Sequence, residues 1–224
     1  MKQRIIPEDI ECVSLGSGCP NNCEYCKEPA EVIFKGIPKF TKNKIKLTDM
    51  NILAYESYPN YKLLQELGNT HAYFELVCGI DYRILNPKIA TILRNYRFGR
   101  FNKYGKWSRY IRFAWDYGLD QQYEIKDAYS MLINAGFKPR QIGIFILVNW
   151  KISYADCCRK LDSFKIWGCH VIDCCYDGGY PNNELDYLQK GNYFWRYSEI
   201  VWFRAKCRKP NQMINFGGID PELK

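Results

Sequence analysis

The stretch Gly18-Cys19-Pro20-Asn21-Asn22-Cys23-Glu24-Tyr25-Cys26 places three cysteines within eight residues, spaced Cys-x-x-x-Cys-x-x-Cys. A single turn of chain with this spacing can bring three thiolates to one corner of a compact metal cluster, and it supplies no fourth ligand. A closed zinc site needs four ligands, usually two pairs from distant segments. Ferredoxin clusters also take four cysteines, in other spacings. Three thiolates on one loop therefore point to a four-iron cluster with one iron left open. Structural zinc and unliganded thiols are the alternatives.

A loop of this kind needs a frame, and the chain supplies alternating strand and helix patterns. Apolar runs at Cys12–Leu15, Lys44–Thr48, Phe74–Cys78, Tyr110–Trp115, Ile142–Val148 and Cys169–Cys174 read as strands. Between them, Asn60–Leu67 reads as a helix closed by Gly68, and Asn86 with Pro87 starts another whose stripe is Ile89, Ile92 and Leu93. Residues 121–135 form a third, stopped by Gly136, and Ser153 caps a fourth that ends at Gly168. An aromatic helix is expected over 193–207, with a loosely structured tail from Pro210, and residues 27–43 read as an irregular connection. Six βα units are too few for a closed eight-stranded barrel. The expected fold is α/β with parallel strands, a partial (open) TIM-like barrel of (β/α)6 type. It forms one domain over residues 1–224, with a lead-in over 1–11 and a C-terminal helix and tail over 180–224.

In parallel α/β folds the site forms at the carboxyl ends of the strands. The polar residues expected there are the cysteines, then Asp49 and Asn51, Asp81 and Arg83, Asp116, Asn149, and Asp173 with Asp177. Any one of these reads equally well as a turn or cap residue. Several meeting on one rim is what argues for function.

The cysteine spacing, with aromatic Tyr25 just before the last cysteine, resembles the signature of the radical S-adenosylmethionine (radical SAM) enzymes. The resemblance runs from Cys12 to about Gly179. Gly79-Ile80-Asp81-Tyr82-Arg83 and Ile111-Arg112-Phe113-Ala114-Trp115-Asp116 look like strand ends of the cobalamin-related branch, although a cobalamin domain has no room here. The resemblance implies that Cys19, Cys23 and Cys26 ligate a 4Fe-4S cluster whose open iron binds S-adenosyl-L-methionine. It places Tyr25 near the adenine, Asp49 or Asn51 at the methionine amino group and Asp116 at the ribose. Backbone from Leu147 through Val148 to Asn149 lines the adenine edge. The Gly-Gly-Glu often found after the second strand is replaced here by Asp49-Met50-Asn51. The implied reaction is reductive cleavage of the cofactor to a 5′-deoxyadenosyl radical, which abstracts hydrogen from a second substrate that the sequence does not identify. An external electron donor, flavodoxin- or ferredoxin-like, is required.

Composition agrees with a globular protein: 224 residues, 47% hydrophobic and 25% charged. The start carries Lys2, Arg4, Glu8 and Asp9 rather than a signal-peptide core, and the longest apolar run, Ile142–Val148, is too short for a bilayer. Eleven cysteines without a signal peptide indicate a reducing, cytoplasmic setting with no membrane partner. Cys157, Cys158, Cys169, Cys174, Cys175 and Cys207 match no ferredoxin spacing and read mainly as core residues, while His71 and His170 are isolated. The net charge is +8, and the stretch Arg94–Trp115 interleaves seven cations with aromatic rings and contains no acid until Asp116. With Lys35, Lys39, Lys42, Lys44 and Lys46, it admits a nucleotide or nucleic-acid partner. The competing reading is a non-catalytic metal-binding module, zinc or iron–sulfur, that contacts nucleic acid through these basic–aromatic stretches.

Overall fold

Strand and helix alternate through the computed structural model, which describes residues 7–55, 59–176, 180–190 and 194–216. The elements are β1 (Glu11–Val13), β2 (Gly16–Ser17), β3 (Ile33–Phe34), β4 (Lys44–Leu47), α1 (Asn60–Asn69), β5 (Tyr73–Leu76), α2 (Pro87–Asn95), β6 (Phe98–Phe101), β7 (Trp107–Ser108), β8 (Ile111–Ala114), α3 (Gln122–Asn134), β9 (Ile142–Val148), α4 (Tyr154–Trp167), β10 (His170–Cys175), α5 (Glu184–Lys190) and α6 (Tyr197–Phe216). The architecture is mixed α/β with parallel strands, and the chain divides into two compact units. One comprises Met1–Phe113 and Asp127–Phe137, the other Ala114–Lys126 and Lys138–Lys224.

The first unit is built on a sheet of order β1-β4-β5-β6-β7. Its first four strands run parallel, and β7 returns antiparallel to β6. Alternation along β4 buries Ile45 and Leu47 and leaves Lys44 and Lys46 half-exposed, the period-two pattern of a strand with unlike faces. Leu63, Leu64 and Leu67 of α1 and Ile89, Ala90, Ile92 and Leu93 of α2 complete this core. The start of α2 is as expected: the Asn86 side chain accepts the Ile89 N–H at 3.0 Å, with Pro87 at the first helical position.

Strand limits are tighter than the apolar runs imply. β5 ends at Leu76 instead of Cys78, and β1 ends at Val13 because the next amides turn away to a side chain, described below. The β6–β7 hairpin lies where sequence patterning indicates only a basic loop. Its turn is closed by the Asn102 side chain, which accepts the N–H groups of Tyr104 and Lys106 at 2.9 and 3.0 Å. Gly105 takes the left-handed conformation there, at φ 72°. β7 has only two residues and the four of β6 do not alternate in burial, so no period-two pattern marks the hairpin.

In the second unit, β9 and β10 pair parallel from Gly143–His170 to Val148–Cys175. All of β9 except Phe145 is buried, as expected of a strand covered on both faces. Ser153 caps α4 by accepting the Asp156 N–H at 3.0 Å, and Gly168 ends it at φ 67°. α6 corrects the expectation of a helix over 193–207 with a loose tail, since it starts at Tyr197 and continues to Phe216. It packs on β10 and α4 through Ile200, Phe203 and Cys207. Its far turns are tied down by Asn211, which accepts the Val171 N–H at 3.0 Å and donates to the Val171 carbonyl at 2.8 Å. Residues of the expected tail beyond Phe216, and Asp177 after β10, lie outside the described residues. Among the described residues no helix is long and apolar enough to cross a membrane.

Lys160 of α4 is fully buried. It donates to the Trp115 carbonyl at 2.9 Å and to the Tyr117 carbonyl, and sits 5.1 Å from the Trp115 ring centroid. Burial pulls its pKa from 10.5 down to about 8. Between these values the unfolded chain holds the proton that the folded chain has released, so this residue makes stability rise with pH across that window. Urea titrations at a series of pH values are expected to show this rise, on the order of 3 kcal/mol, as the difference between the native chain and Lys160→Met, in which the opposing contributions of the buried thiols cancel.

Candidate functional site

A two-residue ribbon pinches the base of the thiol loop: Gly16 and Ser17 pair antiparallel with Phe34 and Ile33. The Lys35 N–H adds a bond to the Leu15 carbonyl at 2.8 Å. Residues 18–32 form the loop between, with Cys19, Cys23 and Cys26 inside it. The Cys19 N–H donates to the Pro29 carbonyl at 2.8 Å, the Cys26 N–H to the Cys23 carbonyl at 2.9 Å, and the Gly18 N–H to the Glu28 carboxylate at 2.8 Å. Gly18 has φ +88°, and a Cβ there would lie 1.7 Å from the Glu31 carbonyl oxygen. Only glycine fits.

Asp49, just past β4, anchors this base. Its Oδ1 accepts the Leu15 and Gly16 N–H groups at 2.8 and 3.0 Å, the Ser14 hydroxyl at 3.3 Å and the Tyr55 hydroxyl at 2.5 Å. Burial, and then the bond to Asp49, push the Tyr55 phenol well above its ordinary value. Asp49 itself is buried, and its Oδ2 has no hydrogen-bond partner among the described residues.

A second carboxylate ties the loop to the end of β5. Asp81 Oδ2 accepts the side-chain amides of Asn21 at 2.7 Å and Asn51 at 2.9 Å, while Oδ1 accepts the Arg83 N–H at 3.1 Å and its Nε–H at 2.8 Å. Burial opposes ionisation of Asp81, but the Arg83 guanidinium and the Asn21 amide outweigh it and hold the carboxyl below its usual range. The Asn51 amide also donates to Cys19 Sγ at 3.7 Å, and the Glu28 N–H donates to Cys26 Sγ at 3.5 Å. Donors to sulfur of this kind orient thiolate ligands and tune the group they bind. Beside them, Cys78 Sγ lies 3.5 Å from Met50 Sδ, and burial raises the Cys78 thiol pKa.

The first unit thus brings together Cys19, Asn51, Asp81 and Arg83 from the expected set, and adds Asn21 and Glu28. Tyr25 sits half-buried within the loop. Asp116, Val148 and Asn149 belong to the second unit. There Asp116 is half-buried, and the Val148 carbonyl accepts the Tyr176 N–H at 2.9 Å. Asn149 is fully buried at φ 61°, with its Oδ1 accepting the Phe194 and Trp195 N–H groups at 2.8 and 2.9 Å. Its Nδ2 has no partner among the described residues. Sequence reasoning passes over Asn21, Glu28 and Tyr55. Asn21 reads as a turn residue in Pro20-Asn21-Asn22, and neither Glu28 nor Tyr55 stands in a pattern that would single it out.

Among the described residues no three thiol, imidazole or carboxylate side chains are gathered as a ready-made metal site. The donor chemistry of the loop still suits a thiolate-bound iron–sulfur group. All eleven cysteines are free, two of the three loop sulfurs receive N–H donors, and Asp49 Oδ2 and Asn51 Oδ1 are buried acceptors without a donor among the described residues. Elsewhere, Cys157, Cys169 and Cys207 are buried, with burial pushing the first two thiols up to about 12. Cys158 and Cys175 are half-buried and Cys174 is exposed. The chain matches no protein-family model, no curated protein and no solved structure.

Removing the Asp49 carboxylate leaves two buried amides and the Tyr55 hydroxyl without an acceptor, while the Ser14 hydroxyl keeps the Gly16 carbonyl at 2.5 Å. Asp49→Ala is expected to lower the unfolding free energy by about 3 kcal/mol, read from urea titration. Asp49→Asn, which keeps one carbonyl oxygen, is expected to lose less.

Proposed function

We propose that this chain is a radical SAM enzyme acting on a second substrate yet to be identified. The observation that supports the reading best is the single pinched loop carrying three free thiols, with Asn51 reaching from the end of β4 to Cys19 and Asp81 together. Cys19, Cys23 and Cys26 would hold a 4Fe-4S cluster, leaving one iron for S-adenosyl-L-methionine. When bound, that pair supplies one-electron chemistry: reductive cleavage of the sulfonium and abstraction of a hydrogen atom from an unreactive carbon. Asn51 and the Glu28 N–H orient the sulfurs of Cys19 and Cys26. Asp49 Oδ2 and Asn51 Oδ1, two buried oxygens without a donor among the described residues, are acceptors of the kind a cofactor ammonium requires. Tyr25 offers a ring for the adenine. The parallel βα succession is the material of an open (β/α)6 core, the fold this reading requires. An external electron donor and a reducing, cytoplasmic setting belong to the same proposal.

Anaerobic reconstitution with iron and sulfide is the direct test. The native chain is expected to turn brown and, with dithionite, to release 5′-deoxyadenosine from S-adenosyl-L-methionine. Cys23→Ala is expected to lose both iron and product, whereas Cys157→Ala, altered at a buried core position, keeps its iron content. A colourless chain holding zinc would overturn the proposal.

A further inference from the structure

The cations between Arg94 and Trp115 separate into two groups by what they touch. Arg94 donates to the Gly136 carbonyl at 3.0 Å, and Arg97 to the His71 carbonyl at 2.7 Å while lying 4.7 Å over the Tyr73 ring. Arg109 donates to the Leu93 and Tyr96 carbonyls at 3.3 and 2.8 Å and to the Arg94 carbonyl, closing the end of α2. Arg112 lies 2.7 Å from the Glu75 carboxylate. These four hold the fold together. Arg100, Lys103 and Lys106 make no ion pair among the described residues.

Those three cations surround the β6–β7 hairpin. A cleft of about 370 Å³ opens on the hairpin, lined by Arg100, Phe101, Asn102, Lys106, Trp107 and Ser108. Its walls are fixed. The Arg100 guanidinium lies 3.9 Å over the Tyr110 ring, which leaves its in-plane N–H donors at the edge. The Trp107 ring stands against Gly99, where a Cβ would come within 2.7 Å of it, and its centroid is 5.2 Å from that of Tyr73. The Trp107 indole N–H is shielded from water and has no acceptor among the described residues. At the tip, Tyr104 is 77% exposed with the Lys103 ammonium 4.8 Å from its ring. The carboxylate beside the tip, Asp9 next to Gly105, is neutralised by Lys44.

We propose that this hairpin binds single-stranded nucleic acid, with Arg100 and Lys106 on phosphates across the cleft and Tyr104 as a stacking face for an unstacked base. Charge complementarity selects the occupant, because three uncompensated cations meet exposed aromatic surface, the combination that grips a strand without reading its sequence. An exposed tyrosine ring needs an unstacked base to lie against, and a closed duplex presents none along its length, so a duplex is the poorer fit. The site is separate from the thiol loop: the hairpin tip lies beside Pro7 and Asp9, which lead into β1, whereas the loop follows β2. It can therefore be tested without iron.

The full chain is titrated against a short fluorescein-labelled oligothymidylate, with anisotropy recorded over a salt series. Binding is expected at low salt. Arg100→Gln with Lys106→Gln should weaken it by roughly tenfold or more and flatten the log affinity–log salt slope by about 1.4, two phosphate contacts' worth for a single strand. Tyr104→Ala should weaken it by roughly fivefold. A control that removes equal charge elsewhere, Lys138→Gln with Arg140→Gln, should stay within about twofold of the native chain. Should Arg100→Gln loosen the hairpin through Tyr110, Lys103→Gln with Lys106→Gln changes only exposed side chains and reads the same loss. No anisotropy change at low salt overturns the proposal. So does equal weakening in the control, or displacement by polyglutamate as readily as by unlabelled strand.

Discussion

Asp49 Oδ1 gathers the amides of Leu15 and Gly16 and the hydroxyls of Ser14 and Tyr55, and the path of the chain into the thiol loop follows from that. The parallel register of β1 on β4, with Cys12 opposite Lys46, carries Asp49 to the level where β1 ends. A buried carboxylate is costly unless donors surround it, so the amides that would have extended β1 turn to the acid instead. That turn starts the β2–β3 ribbon, and the ribbon closes a loop within which three cysteines can lie together.

Asp81 repeats the device one strand further along the sheet. Its five acceptor contacts come from the loop through Asn21, from the end of β4 through Asn51, and from its own turn through Arg83. The loop is thereby held at two points, at its base by Asp49 and at its crown by Asp81. Asn51 stands between the second carboxylate and Cys19, so a change in charge at the sulfur is felt by a side chain already oriented. These two anchors are what the proposed ligand-bearing role of the loop rests on.

The remaining cysteines and cations show how one residue type serves different ends. Cys157, Cys169 and Cys207 fill core positions as small apolar groups, and burial keeps the thiol form dominant. Arg109 and Arg112 are absorbed by carbonyls and a carboxylate, whereas Arg100 is braced on the Tyr110 ring and makes no ion pair among the described residues. Composition counts all of these alike. Neighbours divide them.

Local chemistry was legible from the chain alone wherever the partner lies within a turn of helix or along one strand. Asn86 and Pro87 opening α2, Ser153 and Gly168 bounding α4, and the buried run of β9 all follow from contacts a few residues apart. The cysteine spacing is local in the same sense, and it alone raises the possibility of a metal-binding loop. Asp49 meets its amide partners across 34 and 33 positions of sequence, and Asn211 meets Val171 across 40, so no periodicity or turn signature marks either bond. The hairpin at Phe98–Ser108 leaves no mark in the sequence because β6 does not alternate in burial and β7 has only two residues. α6 outran its expected end because an anchor on β10 outweighed a proline that sequence rules treat as a stop. Propensity and spacing act over one or two turns of chain, whereas the choice of donor for a buried carboxylate is made only when distant strands lie side by side.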